Sequence, residues 1–153
     1  TLLFETGGDI LTPENREKYK QLKIMDITQW LKEVVLPRIK VIRPKNQILL
    51  HPTCSCQIMG LTPVLLDIAR KCAREVILPD NWGCCGASGD RGFIFPELSD
   101  SATRDERDEI GHESFDGCYS LARTCEIAMQ DHIEQPYESI VYLVDETIQD
   151  QGT

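Results

Sequence analysis

Hydrophobic positions along the 153-residue chain switch repeatedly between two periods, which predicts strands alternating with helices. From Asp26 onward Ile27, Trp30, Leu31, Val34 and Val35 recur at helical spacing, with Asp26 placed to cap, Gln29 three residues later and an end near Pro37. After Pro44-Lys45-Asn46 comes a continuous apolar run, Gln47-Ile48-Leu49-Leu50-His51, of the kind a buried parallel strand shows. Leu61, Val64, Leu65, Ile68, Ala69 and Cys72 form the next helical stripe, on which Cys72 reads as a small core residue. A second strand is expected at Glu75–Leu78. A polar helix follows at Glu97–Glu109, ended by Gly111, whose charges read as a solvated face.

A third strand, weak by composition, is predicted at Ser114–Cys118. After it Cys118, Ala122, Cys125, Met129 and His132 share one helical face. Ser139-Ile-Val-Tyr-Leu-Val144 reads as a fourth strand because its residues are strongly β-forming. Together these elements predict an α/β fold, a three-layer Rossmann-like or flavodoxin-like domain with a mainly parallel sheet of about four strands. The domain is expected over residues 24–146, with 1–23 as a linker or the tail of a preceding segment and 147–153 as a polar tail. The chain starts at Thr1 without cap or targeting logic, and a piece of a longer protein is expected.

Charge narrows the partners. A net charge of −9 argues against nucleic acid, which needs clustered Lys and Arg. The short basic patch of Arg38, Lys40, Arg43 and Lys45 reads as a solvated linker, with docking to an acidic partner or membrane surface as the alternative. No apolar run is long enough to span a membrane.

The cysteines change the picture most. There are seven, an odd number that cannot pair off completely, in a chain long enough to core itself, so a reducing compartment and a metal role are favoured over a disulfide scaffold. Cys84 and Cys85 lie between Gly83 and Gly86, directly after the second strand. Two adjacent thiols aim at one object only where the backbone turns sharply, which glycine permits. The pair is open to three readings: a metal or iron–sulfur site, a strained vicinal disulfide, or a plain turn. Gly86 and Gly89 would leave N–H groups free for an anionic cluster. Ligands in open α/β sheets sit at the carboxyl ends of the strands. Cys54, Cys84, Cys85 and Cys118 all fall at or just beyond such an end, and Cys125 falls in the first turns of the next helix. His51 at a strand end reads as structural rather than as a ligand, and Cys56 as a spare thiol.

The pattern His51-Pro-Thr-Cys54, Cys84-Cys85-Gly86, then Cys125 resembles the CCG (cysteine-rich) domain of heterodisulfide reductases, the glycolate oxidase iron–sulfur subunit and FAD-linked D-lactate dehydrogenases. With Arg123-Thr-Cys-Glu-Ile127 and Ser139-Ile-Val-Tyr-Leu-Val-Asp145, the run Gly83–Phe93 looks most like the carboxy-terminal end of fused FAD-binding, Fe–S-binding D-2-hydroxyacid dehydrogenases. The family pattern is one Cys, a long interval, Cys-Cys-Gly, a second long interval and Cys-x-x-Cys. Here the first interval, Ser55–Gly83, is slightly short at 29 residues. The first position of the final pair falls on Ala122, for which Cys118 would substitute if the helix began early enough.

The resemblance implies an iron–sulfur cluster, a [4Fe–4S] centre with zinc as alternative, held by Cys54, Cys84, Cys85 and Cys125, with Cys118 as the further candidate. It also implies FAD in the missing part of the parent protein, and D-lactate or a related D-2-hydroxyacid oxidised there. This piece, not catalytic alone, would relay electrons from that FAD-binding part to a quinone, cytochrome or other carrier. Its expected location is the cytoplasm or the cytoplasmic face of the membrane. The rival expectations are a zinc-stabilised or metal-free docking domain without redox role, and a thiol–disulfide site at Cys84-Cys85 of the heterodisulfide reductase kind.

Overall fold

Alternation along one strand organises the molecule. The computed structural model describes residues 8–148; the remainder of the predicted leading segment, residues 1–7, and of the polar tail, 149–153, lie outside the described residues. Strand β1, Lys45–Leu50, sends Ile48 and Leu50 to one face of the sheet and Leu49 to the other, and all three are fully buried. Both faces must therefore be covered. On the Ile48 face lie helix α2 (Ile27–Trp30, continued by a wider turn at Leu31–Val35 and a tighter one at Leu36–Arg38), α3 (Cys54–Ile58) and α4 (Thr62–Cys72). The Leu49 face is covered by residues of α6, Pro96–Ile110, and α7, Arg123–Ile133.

The sheet has four strands, all parallel, in the order β2-β1-β3-β4, with β2 at Ala73–Ile77, β3 at Cys118–Ser120 and β4 at Tyr137–Ser139. This is the three-layer α/β architecture that the periodicity predicts. The order reverses between β1 and β3. After β1 the chain crosses to β2 over one face; after β2 it returns past β1 over the other face to reach β3. The loops leaving β1 and β3 consequently diverge, and a crevice opens between them at the carboxyl edge. Among the described residues no helix is long and apolar enough to cross a membrane.

Several elements depart from expectation. The residues read as a fourth strand, Ser139–Val144, form β4 only up to Ser139 and then helix α8, Ile140–Thr147. Ser139 caps this helix, its hydroxyl accepting from the Val141 N–H. Ile140, Leu143, Val144 and Thr147 are buried while Val141 and Tyr142 are exposed, a helical period that overrides the β preference of the residues. The third strand begins where its prediction ended. Cys118 lies in β3 rather than on the helix after it, and Ala122 is the extended cap of α7. The leading polar segment contains a helix, α1 (Pro13–Lys20), with Thr12 accepting from the Asn15 N–H and Pro13 in its first turn; that signature is present in the sequence and marks a helix start.

Between β2 and α6 the chain runs through the two cysteines and a short helix, α5 (Arg91–Ile94). Gly86 has φ +73°, and a Cβ there would come within 2.6 Å of the Leu98 carbonyl oxygen. The loop thus lies directly against the start of α6, and only the missing side chain allows it. Gly89 also has positive φ, +77°, but a Cβ would meet nothing within 4 Å. Gly89→Ala is expected to lose about 1 kcal/mol from backbone strain alone. Gly86→Ala adds a clash with main chain, for a total of roughly 3 kcal/mol. Urea unfolding of both variants checks this; equal losses would contradict the packing role of Gly86.

Candidate functional site

Three strand ends deliver the site. After β1, Pro52 and Thr53 lead into α3, whose first residue is Cys54; the Thr53 hydroxyl accepts from the Cys56 N–H and so fixes the start of the turn. After β2 comes the Gly83–Gly92 loop. After β3, Leu121 and Ala122 lead into α7, with Cys125 in its first turn. A cavity of about 230 Å³ at this edge is lined by Cys54, Cys84, Cys85 and Cys125, together with Thr53, Ser55, Ala87, Ser88, Gly89, Ala122 and Thr124. Thiols separated by up to 71 positions (125 − 54) therefore face one space.

The thiols fall into two pairs. Cys85 and Cys125 are buried, and their sulfurs share a hydrogen bond at 3.1 Å. The bond from Cys125 pulls the Cys85 thiol down, assisted by the Ala87 N–H and the charge of His51 against the opposing effect of burial. Cys125 is pushed up, first by that same bond and then by burial and by the other thiols of the cavity. Cys54 and Cys84 are exposed. The Gly86 N–H, 3.4 Å from the Cys84 sulfur, draws that thiol down, but burial and the neighbouring Cys85 and Cys54 together outweigh it and leave it raised.

Other sequence candidates go elsewhere. Cys118 is buried in β3 and does not line the cavity; burial alone pushes it up to about 12. The condition under which it would replace Ala122, a helix beginning early enough to carry both, is not met, because α7 starts at Arg123. Gly89 lines the cavity, whereas Gly86 serves through its close packing and its N–H to Cys84. Cys56 and Cys72 lie in the core on the opposite face of the sheet. The adjacent Cys84 and Cys85 differ in burial, and the close sulfur contact of Cys85 is with Cys125.

One residue of the site region is not anticipated by the sequence pattern. The polar helix α6 buries Ser99, Thr103, Glu106 and Ile110 on its inner face, so its charges do not all face solvent. The Glu106 carboxylate, 1% exposed, brackets the ring of His51, also 1% exposed, with oxygens 3.0 and 3.2 Å from Nδ1. The buried positions follow one another at intervals of four, three and four, a helical stripe of small and polar residues that is legible in principle.

As a donor set, four thiols around one cavity suit a soft metal or an iron–sulfur centre. Among the described residues no three His, Cys, Asp or Glu side chains already surround a common metal position. The sulfurs hold the paired arrangement of free thiols, and ligation would require Cys85 and Cys125 to separate. No protein-family model and no curated protein matches the chain.

Exposure orders the reactivity of the free thiols. In the reduced, metal-free protein, alkylation mapped by mass spectrometry should modify Cys54 and Cys84 first. Cys72 and Cys118 should react at least tenfold more slowly, because the thiolate is the reactive form and burial suppresses it. Labelling of Cys118 as fast as that of Cys84 would contradict the placement of β3.

Proposed function

We propose that this chain is the electron-transfer module of an oxidoreductase and holds an iron–sulfur centre, a [4Fe–4S] cluster in the first instance, through Cys54, Cys84, Cys85 and Cys125. The observation that carries this reading is the convergence of these four thiols, from three different strand ends, on a single cavity. The resemblance of the cysteine pattern to the CCG domain supplies the context: the centre takes electrons from a flavin in another part of a D-lactate or D-2-hydroxyacid dehydrogenase and passes them to a carrier. When bound, such a centre supplies a site that accepts and returns one electron at a time.

The chain's own residues do the rest. Cys85 and Cys125 would be the buried ligands and would give up their thiol protons on metal binding. Cys54 and Cys84 close the solvent side. N–H groups of the glycine loop, of which Gly86 already donates to Cys84, temper the charge on the sulfurs. Ala87 and Ala122 add apolar surface to the lining.

A second reading has one specific observation in its favour. The 3.1 Å approach of the Cys85 and Cys125 sulfurs is that of a dithiol ready to close, so thiol–disulfide chemistry, expected from the sequence at Cys84-Cys85, is better placed at Cys85-Cys125.

Anaerobic reconstitution with iron and sulfide separates the readings. The electron-transfer reading expects bound iron and sulfide in about equal amounts, with visible charge-transfer absorption that dithionite bleaches. Changing Cys84 or Cys125 to Ser should abolish most of that absorption, while Cys118→Ser should retain it. Absence of iron and colour, with a reversible two-electron dithiol titration lost in Cys125→Ser, would overturn the first reading in favour of the second. Stoichiometric zinc without iron would identify a structural zinc domain instead.

A further inference from the structure

We propose that the exposed apolar face formed by Phe93, Ile94, Phe95 and Leu98 pairs with the same face of a second copy of this chain, in a two-fold dimer whose register is set by Arg91 and Glu97. The four side chains lie from α5 into the first turn of α6, within six consecutive positions, and are 46, 65, 50 and 44% exposed. None of them belongs to, or packs against, either cluster of the core, and none lines the thiol cavity. The other large exposed apolar residues among the described ones occur singly or in pairs along the chain, as on any folded surface. The segment is also held in place. The Phe93 N–H donates to the Asp90 carbonyl at 3.1 Å, the Phe95 N–H to the Arg91 carbonyl at 2.8 Å and the Leu98 N–H to the Phe95 carbonyl at 3.0 Å. Beneath it Gly92 packs so closely that a Cβ there would lie 2.5 Å from the Ser99 hydroxyl and 2.8 Å from Ala87 Cα. A preformed face of this kind loses little conformational entropy on association.

Charge decides what covers the face. Phe93 and Phe95 flank Ile94, the most exposed of the four, and three positions to either side of Ile94 stand Arg91 and Glu97. Both are exposed, and neither side chain makes an ion pair or hydrogen bond among the described residues. Other charges of α6 are occupied: Arg107 pairs with Asp100 at 2.8 Å, Arg104 with Asp105 at 3.5 Å, and Glu109 accepts from the Asp80 and Asn81 N–H groups. Asp90, beside Arg91, is the other unpaired charge at that end. In a two-fold contact each patch meets itself, reversed across the axis. An axis at Ile94 therefore joins the apolar centres and brings the Arg91 end of each copy toward the Glu97 end of the other. A partner surface of single sign would instead leave one of these two charges facing its like, and an anionic lipid surface is opposed further by the net charge of −9. That net charge also repels a second copy at long range, but at physiological salt the repulsion is screened beyond about 8 Å. The two cross-axis pairs act in contact, where they fix register more than affinity.

Sedimentation equilibrium of the reduced, metal-free protein tests this, with a thiol reductant present so that the exposed Cys54 and Cys84 do not cross-link copies. The face is small, so a dissociation constant on the order of 10–100 µM is expected. Ile94→Asp sets two carboxylates against each other at the axis and should weaken the dimer by about a hundredfold or more. Because Ile94 adds nothing to the core, the melting profile of dilute protein should not change. Arg91→Glu and Glu97→Arg should each weaken association about tenfold, since a change in a two-fold contact acts twice, and the double variant, which exchanges the two signs, should return to within about threefold of the parent. Protein that stays monomeric up to about 0.5 mM overturns the proposal, as does a dimer that Ile94→Asp leaves intact. A double variant no better than the weaker of its singles overturns it too, because the two charges then do not meet across an axis.

Discussion

A parallel strand cannot turn back on itself, and the remainder of this structure depends on that constraint. Each strand of a parallel ladder must begin at the same edge, so the chain leaves every strand at one side of the molecule and crosses a face to start the next. With four strands in the order β2-β1-β3-β4, the exits after β1, β2 and β3 all open on the same edge. Cysteines placed just after those exits are gathered at one edge although the segments that carry them are far apart in the chain. The sheet is therefore the device that assembles the site, and its register fixes which side chains arrive: Leu49 pairs with Cys118 and Leu50 with Tyr119, which sets the ends of β1 and β3 beside each other.

Close packing then determines how far the loop after β2 leans into that edge. Gly86 and Gly92 both lack the room for a methyl group, Gly86 against the Leu98 and Ser99 backbone and Gly92 against Ser99 and Ala87. The start of α6 is consequently drawn onto the back of the cysteine loop. The same helix, continued for two turns, brings Glu106 to His51. Placement of the loop and placement of the buried acid are two results of one contact, and a change at Gly86 is felt at both.

The parts legible in the sequence are those where one period dominates. The run from Ile48 to Leu50 and the stripe from Leu61 to Cys72 show a clean strand and a clean helix, and the structure forms both. Glycines beside Cys84 and Cys85 mark the turn. The segment after Ser139 misleads because Ile140, Val141, Tyr142 and Val144 favour strands individually, while their burial follows a helix that packs on α4. Strands of only three residues, β3 and β4, carry too few side chains to display a period at all. Glu106 is hidden for another reason. In a helix rich in Asp, Glu and Arg nothing in composition distinguishes the one acid that faces inward; only the neighbouring Ser99, Thr103 and Ile110 mark its side.

These features bear on why the free thiols sit as they do. Without a metal, the buried thiols of Cys85 and Cys125 hydrogen-bond to each other, so each finds a partner in a dry place. Cys54 and Cys84 have water available and need no such arrangement. The division into a buried pair and an exposed pair therefore follows from burial rather than from a preference for disulfide formation. It also explains how a cavity lined by four cysteines can present no ready metal polygon among the described residues. The contact is one that protonated thiols make, and a cation that displaces the thiol protons removes the reason for it.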